Sequence, residues 1–233
     1  MTINLKDTTF IIPLRIDHED RLINANITLN YLTKHFDTNI ILLEDGEKSH
    51  YKEFDVENDT NIKYIFIENN EEIFYRTKYL NIMLKQVKTP VVVNYDIDIL
   101  LPLESYVIAQ HMIINENYDV IYPFSNPPGV YYIDQKYKDL IKPNYDLKCY
   151  DKIKEIINKV QIQYSNDENK KNEKNDENDE KKEVFNEAGL GFCIFFNTNT
   201  YLLFGGENEE FYGWGPEDQE RAYRFFCMNA KIN

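Results

Sequence analysis

The sequence predicts an α/β protein with a mostly parallel central sheet flanked by helices, in a single domain over residues 1–233. Three observations carry that expectation. Apolar strand-like runs alternate with helix-periodic segments along the first half. The run "VVVNYDIDILLP" at residues 91–102 ends in two carboxylates one residue apart, Asp96 and Asp98. Residues 165–183, "SNDENKKNEKNDENDEKKE", contain no apolar residue and interrupt the alternation.

Taken in order, "TFIIPL" is a strand, and "RLINANITLNYLTKHF" is a helix with Leu22, Ala25, Leu29, Leu32 and Phe36 on one stripe. "NIILLE" and "IKYIFI" are further strands. "EIFYRTKYLNIMLKQV" predicts a helix whose inner stripe is Ile73, Thr77, Leu80, Leu84 and Val87. "PVVVNY" is the next strand, Pro102 opens a helix to about Asn115, and "YDVIYPF" is a strand. Alternation of this kind gives a doubly covered, largely parallel sheet, with ligands at the carboxyl ends of its strands. The all-polar segment cannot offset its ordering entropy by burial, so a disordered insertion is expected there. Its Asn residues at 166, 169, 172, 175 and 178 read as compositional drift; an oxygen-rich calcium loop would need a glycine the segment lacks. Order resumes with "EAGLGFCIFFNTNTYLLFGG", a strand leading into a short helix. Pro216 then starts a helix to about Met228, with Glu217 and Asp218 in its first turn, where negative charge is favoured. Gly213 and Gly215 flank the single Trp, Trp214, and allow close backbone approach to a ligand; a capped helix beside a core indole explains the same residues.

Composition narrows the partners. Net charge is −14, with hydrophobic residues at 42% and charged residues at 28%. A nucleic-acid partner needs a basic face, so it is not expected; neutral substrates, or anionic ones held through a bridging metal, are. Three cysteines, Cys149, Cys193 and Cys227, lack the spacing of a disulfide framework or zinc site, and Cys193 in "GFCIFF" reads as a buried thiol. No run approaches the ~18 apolar residues of a membrane span, and the start "MTINLKDTTFIIPL" lacks a signal-peptide pattern, so a soluble, cytoplasmic chain is expected.

The acidic pair needs its own explanation. Burying charge is costly unless it is paired or bound to a cation. Side chains at i and i+2 of an extended segment share a side, so Asp96 and Asp98 are expected to face one cation together.

Four segments, in order, resemble the β-1,4-galactosyltransferase family: "IIPLRIDHEDRL", "FYRTKYLN", "NYDIDILLP" and "GWGPEDQERAYR". The resemblance spans roughly residues 8–128 and 186–226. It implies a GT-A-type, Rossmann-like nucleotide-sugar-binding fold. It implies metal-dependent, inverting transfer of a hexose or N-acetylhexosamine, of galactose or GalNAc type, from a UDP-sugar donor to a glycan or glycoconjugate acceptor. Pro13 and Arg15 match the turn that holds uridine and its phosphates, and Phe74 and Arg76 match nucleotide contacts. Asp98 matches the Mn²⁺ ligand (Mg²⁺ is the alternative ion), with Asp96 its partner near ribose and metal. Trp214 matches an indole beside donor phosphates and acceptor sugar. Gly215, Glu217 and Asp218 match the acceptor site, with Asp218 as general base.

Departures from the family pattern are specific. The family places a further metal-ligating His after its acidic motif, whereas His18, His35, His50 and His111 all precede Trp214. His18 fits either a nucleotide contact or a solvated loop, and His111 fits a structural role. The last Gly of the family's "GWGG" is Pro216. Ala188 and Leu190 stand where a galactose-selecting aromatic is expected, which leaves room for a 2-acetamido group. A GT-A enzyme with another nucleotide donor, and a degenerate domain that binds nucleotide or glycan without turnover, are the other readings. A DxD-type phosphohydrolase needs Gly and Thr after its nucleophilic Asp, where Ile99 and Leu100 stand.

Overall fold

A computed structural model describes residues 2–51, 61–124, 190–213 and 215–233, and these belong to one compact unit. The strands are β1 (Ile3–Arg15), β2 (Phe36–Gly46), β3 (Ile62–Glu68), β4 (Val91–Tyr95), β5 (Val120–Ile121) and β6 (Cys193–Asn197). The helices are α1 (Glu19–His35), α2 (Arg76–Leu84), α3 (Leu103–Asn115), α4 (Thr198–Leu203) and α5 (Glu217–Cys227). Among the described residues the strands form one sheet, ordered β3-β2-β1-β4-β6-β5. β1 to β4 are mutually parallel; β6 runs antiparallel to both β4 and β5.

The strand centres Phe10–Leu14, Ile40–Leu43, Val91–Val93 and Cys193–Phe196 are apolar because both faces are covered there. Successive side chains point to opposite faces. Phe10, Ile12, Val91, Val93 and Phe195 therefore pack with Ala25, Leu29 and Leu32 of α1 and Tyr106 and Ile113 of α3. Ile11, Leu43, Val92, Ile194 and Phe196 pack on the other side with Leu80 and Met83 of α2, Tyr201 of α4 and Phe225 of α5. Each such burial is worth about 1.5–3 kcal/mol over exposure. Cys193 is a buried core thiol, as expected.

Two elements depart from expectation. α2 begins at Arg76, four residues later than the periodicity suggests. The guanidinium of Arg15 donates to the carbonyls of Glu71 (3.0 Å), Glu72 (2.8 Å) and Ile73 (3.0 Å). Carbonyls committed to a side chain hold the segment out of the helix, and Ile73 is 37% exposed instead of lying on the inner stripe. β5 pairs over only two residues. Pro123 has no N–H to extend the ladder, and the C-terminus takes up the adjacent groups, through Tyr122 N–H to Asn233 C=O (2.8 Å) and Asn233 N–H to Val120 C=O (3.0 Å).

The chain order places a crevice. From β1 the chain runs outward through β2 and β3, then returns through α2 to β4 on the other side of β1. β1 and β4 are thus the pair at which strand order reverses, where open α/β sheets bind ligands. No described helix is long and apolar enough to cross a membrane. The expectations for 165–183, Cys149, Ala188 and Trp214 fall outside the described residues.

Candidate active site

The carboxyl ends of β1 and β4 present Arg15 and the Asp96–Asp98 segment. β4 stops at Tyr95, and Asp96–Ile99 is a turn in which Ile99 N–H bonds the Asp96 carbonyl (3.3 Å). The expected sharing of one side by i and i+2 of an extended strand is therefore corrected: a turn carries the two acids. They still feel each other. Partial desolvation, and next the Asp96 charge, raise the pKa of the exposed Asp98 above its ordinary value. Two like charges at one turn are a strain that a cation would relieve.

Arg76, the first residue of α2, joins this turn to a distant part of the chain. Its Nη2 donates to Asp96 Oδ1 (2.8 Å), and its Nη1 stands 3.9 Å from Asp218 Oδ1. Nη1 is buried and has no hydrogen-bond partner among the described residues. Burial opposes the Arg76 charge, but Asp96 and Asp218 outweigh it and hold its pKa above the ordinary value.

Asp218, in the first turn of α5, rests on a buried polar network. Its Oδ1 accepts from Arg221 Nη2 (2.7 Å), which also donates to the Leu190 carbonyl (2.7 Å). Arg221 is 0% exposed. Its Nη1 donates to Glu207 Oε1 (2.8 Å), which also accepts from Asn94 Nδ2 (2.8 Å) and the Tyr201 hydroxyl. Asn81 closes the array: its Oδ1 accepts the Glu207 N–H (2.8 Å) and its Nδ2 donates to the Glu207 carbonyl (2.9 Å). A buried guanidinium between two carboxylates is compensated, as a lone one would not be.

The loop before α5 is tied to α2. Thr77 Oγ1 donates to the Phe211 carbonyl (2.7 Å), and Gly213 N–H bonds the Phe74 carbonyl (3.3 Å). Gly213 has φ +78, the left-handed region glycine enters freely. Glu217 is buried, and its Oε2 accepts the Gly215 N–H (3.1 Å). Burial, and then the Asp218 charge, raise its pKa above the ordinary value.

The remaining sequence-predicted residues lie as follows. Pro13 is buried within β1. Arg15 is an internal clamp, bonded through Nε to the buried Asp45 (2.6 Å) and to the three carbonyls named above, with its guanidinium 5.6 Å from the Phe74 ring centre. His18 is exposed, 3.7 Å from Asp17, and lines a cavity of about 550 Å³ at the ends of β1 and β2 with Leu22, Lys48 and His50. His50 Nδ1 pairs with buried Glu44 (2.6 Å), His35 packs on Tyr31 at 4.9 Å between ring centres, and His111 is exposed beside Asn115. None of them reaches Asp96 or Asp98 in a group of three or more His, Cys, Asp or Glu suited to a metal, among the described residues.

The structure thus brings Asp96, Arg76 and Asp218 into one charged cluster, with Asp98 at its edge and Gly215 and Glu217 behind it. Sequence reasoning missed Asn81, Glu207, Arg221, Gly191 and Phe192; Leu190, expected beside the donor sugar, instead gives its carbonyl to Arg221 (2.7 Å). A signal existed for Arg221: with Glu217 and Phe225 it repeats every four residues along α5, a charge on the inward stripe.

No protein-family profile matches the chain, and no curated protein sequence matches it. Among solved structures, the mannosyltransferase PcManGT from Pyrobaculum calidifontis, in complex with GDP-Man and Mn²⁺, superposes with a TM-score of 0.49 at 12% identity, over 97% of this chain and 53% of its own. The catalytic domain of Drosophila β1,4-galactosyltransferase 7, in complex with xylobiose, superposes with a TM-score of 0.49 at 12% identity, over 97% of this chain and 63% of its own. This chain spans less than two thirds of the length of either neighbour.

Proposed function

We propose that the chain is a metal-dependent, inverting glycosyltransferase of GT-A type, moving a hexose or N-acetylhexosamine from a UDP-sugar to a sugar hydroxyl. The observation that carries this reading is the Arg76 bridge. It joins the acidic turn after β4, at the strand-order reversal, to Asp218 at the start of α5. The two motifs lie more than a hundred residues apart in the chain, and the reaction needs them together.

The two carboxylates of the turn after β4 would hold the divalent cation. Asp98 and Asp96 offer hard carboxylate oxygens, suited to Mn²⁺ or Mg²⁺, and one Asp96 oxygen is already held in place by Arg76. Such an ion would supply positive charge to the departing diphosphate. Asp218 takes the proton of the acceptor hydroxyl, whose oxygen bonds to the anomeric carbon from the side opposite the departing UDP, inverting its configuration. Trp214 and Gly215 bound the acceptor, with Glu217 holding the Gly215 loop.

A panel of UDP-sugars with and without Mn²⁺, read by UDP release, tests the reading. UDP-N-acetylhexosamine is expected to serve at least as well as UDP-galactose. Asp218→Asn is expected to lose turnover by at least about 10²-fold while UDP–metal binding stays near wild type. Normal turnover in that variant, or a product of retained configuration, defeats the mechanism. The lack of a third metal ligand among the described residues favours one other reading, a binding domain without turnover; nucleotide binding without UDP release would select it.

A further inference from the structure

Resting on the transferase reading, we propose that Gly191 is a positioning residue for the base, its missing side chain reserving the space in which the Asp218 carboxylate stands. Leu190–Phe192, the loop before β6, touches both halves of the site. The Phe192 carbonyl accepts the Asp96 N–H (2.7 Å), and the Leu190 carbonyl accepts from Arg221 (2.7 Å). Phe192 sits at φ +69, a left-handed conformation that is an outlier for a bulky residue, and the bonds on either side hold it there.

Between these anchors Gly191 faces Asp218. A Cβ at position 191 would lie 2.5 Å from Asp218 Oδ2 and 3.4 Å from Cγ. Gly191 is not among the glycines with positive φ, so alanine can adopt its backbone conformation. The requirement for glycine here is space for a carboxylate. Asp218 is thus held through Oδ1 by Arg221, while its Oδ2 occupies the space a side chain at position 191 would need. Oδ1 is committed to a guanidinium, while Oδ2 makes no hydrogen bond among the described residues. Oδ2 is therefore the oxygen that takes the proton: the acceptor O–H bond breaks toward Oδ2, the hydroxyl oxygen bonds the anomeric carbon, and the bond to diphosphate breaks with its electron pair leaving on UDP.

The test is Gly191→Ala in the full chain, alone and combined with changes at Asp218. The added methyl displaces the carboxylate, and misplacing a reacting group by about 1 Å can cost about 10²-fold. A fall in kcat of about 10- to 100-fold is expected, with the donor KM within about two-fold of wild type. Gly191→Ala added to Asp218→Asn is expected to cost no further turnover. Melting temperatures give a readout independent of activity: Gly191→Ala lowers Tm, and the loss disappears in an Asp218→Ala background, which removes the clash. If Gly191→Ala does not fold, the double variant with Asp218→Ala must fold. Near-normal kcat in Gly191→Ala, an equal further loss on top of Asp218→Asn, or the same Tm loss in both backgrounds overturns the proposal. An active wild type with an unaffected Gly191→Ala defeats this inference alone. A wild type inactive toward every donor defeats the transferase reading, and the Tm cycle still decides whether Gly191 and Asp218 share that space.

Discussion

Glu217 and Asp218 are chain neighbours with the same functional group, yet they have different surroundings. Asp218 is half-exposed and bonded to Arg221; Glu217 is turned inward onto the Gly215 N–H. The helix start at Pro216 and its acidic first turn are legible in the sequence, because caps and charges act locally. Which acid turns inward depends on the path of residues 213–215, which local rules do not fix. The pKa of Glu217 is raised in the fold by burial and by Asp218. The folded chain therefore holds this proton more tightly than the unfolded chain does. Stability is lost as pH rises from the ordinary carboxylate range through the raised value. Glu217→Gln keeps an acceptor for the Gly215 N–H and removes the titration. Thermal melts across pH are expected to show a smaller loss over that interval than wild type. Glu217→Ala removes the acceptor of the Gly215 N–H, which water can replace because Gly215 is exposed, and is expected to cost about 0.5–1.5 kcal/mol. Equal pH profiles for wild type and Glu217→Gln would mean that Glu217 does not carry the titration.

At the level of elements, the strands were legible because burial on both faces demands unbroken apolar runs, and the stripe of α1 because one face packs on the sheet. The start of α2 was not, because its cause lies far away in sequence. Arg15, at the end of β1, competes for the carbonyls of residues 71–73 and wins them for a loop. The same guanidinium pairs with Asp45, which is fully buried and also accepts from Asn69 and Tyr79. Arg15→Met strips the positive partner from a buried carboxylate and releases three carbonyls. A loss of about 3–5 kcal/mol is expected from breaking a buried pair, measured by chemical denaturation. If Arg15 served the nucleotide alone, stability would be unchanged and only UDP affinity would fall.

Across the whole molecule, topology does what no local motif can. The acidic turn and the "GWG-ED" segment are each visible in the sequence, but their union through Arg76 depends on β4 lying beside β1 and on α5 packing against the α2 side of the sheet. The buried Asn81–Glu207–Arg221 array is likewise a product of that packing, and its polar residues read as surface in a linear scan. The fold gathers acids in a chain that already carries a net charge of −14, so the Asp96–Asp98 turn is a place where cation binding and stability are linked. Desolvation and Asp96 raise the Asp98 pKa, which means that the ionised Asp98 carboxylate opposes folding. Asp98→Asn is therefore expected to raise Tm at neutral pH in metal-free buffer. With Mn²⁺ and UDP the order reverses. A ligand that binds only the folded chain stabilises it by about 2.7 kcal/mol at 100 times its Kd, so wild type is expected to gain several degrees. Asp98→Asn and Asp98→Ala are expected to lose most of that gain, because the ion has lost a charged ligand. Asp7→Asn, which removes an exposed acid from β1, serves as the control for bulk charge and is expected to keep the full shift. A shift of equal size in the Asp98 and Asp7 variants would show that Mn²⁺ acts on the overall charge of the protein and not on the turn after β4.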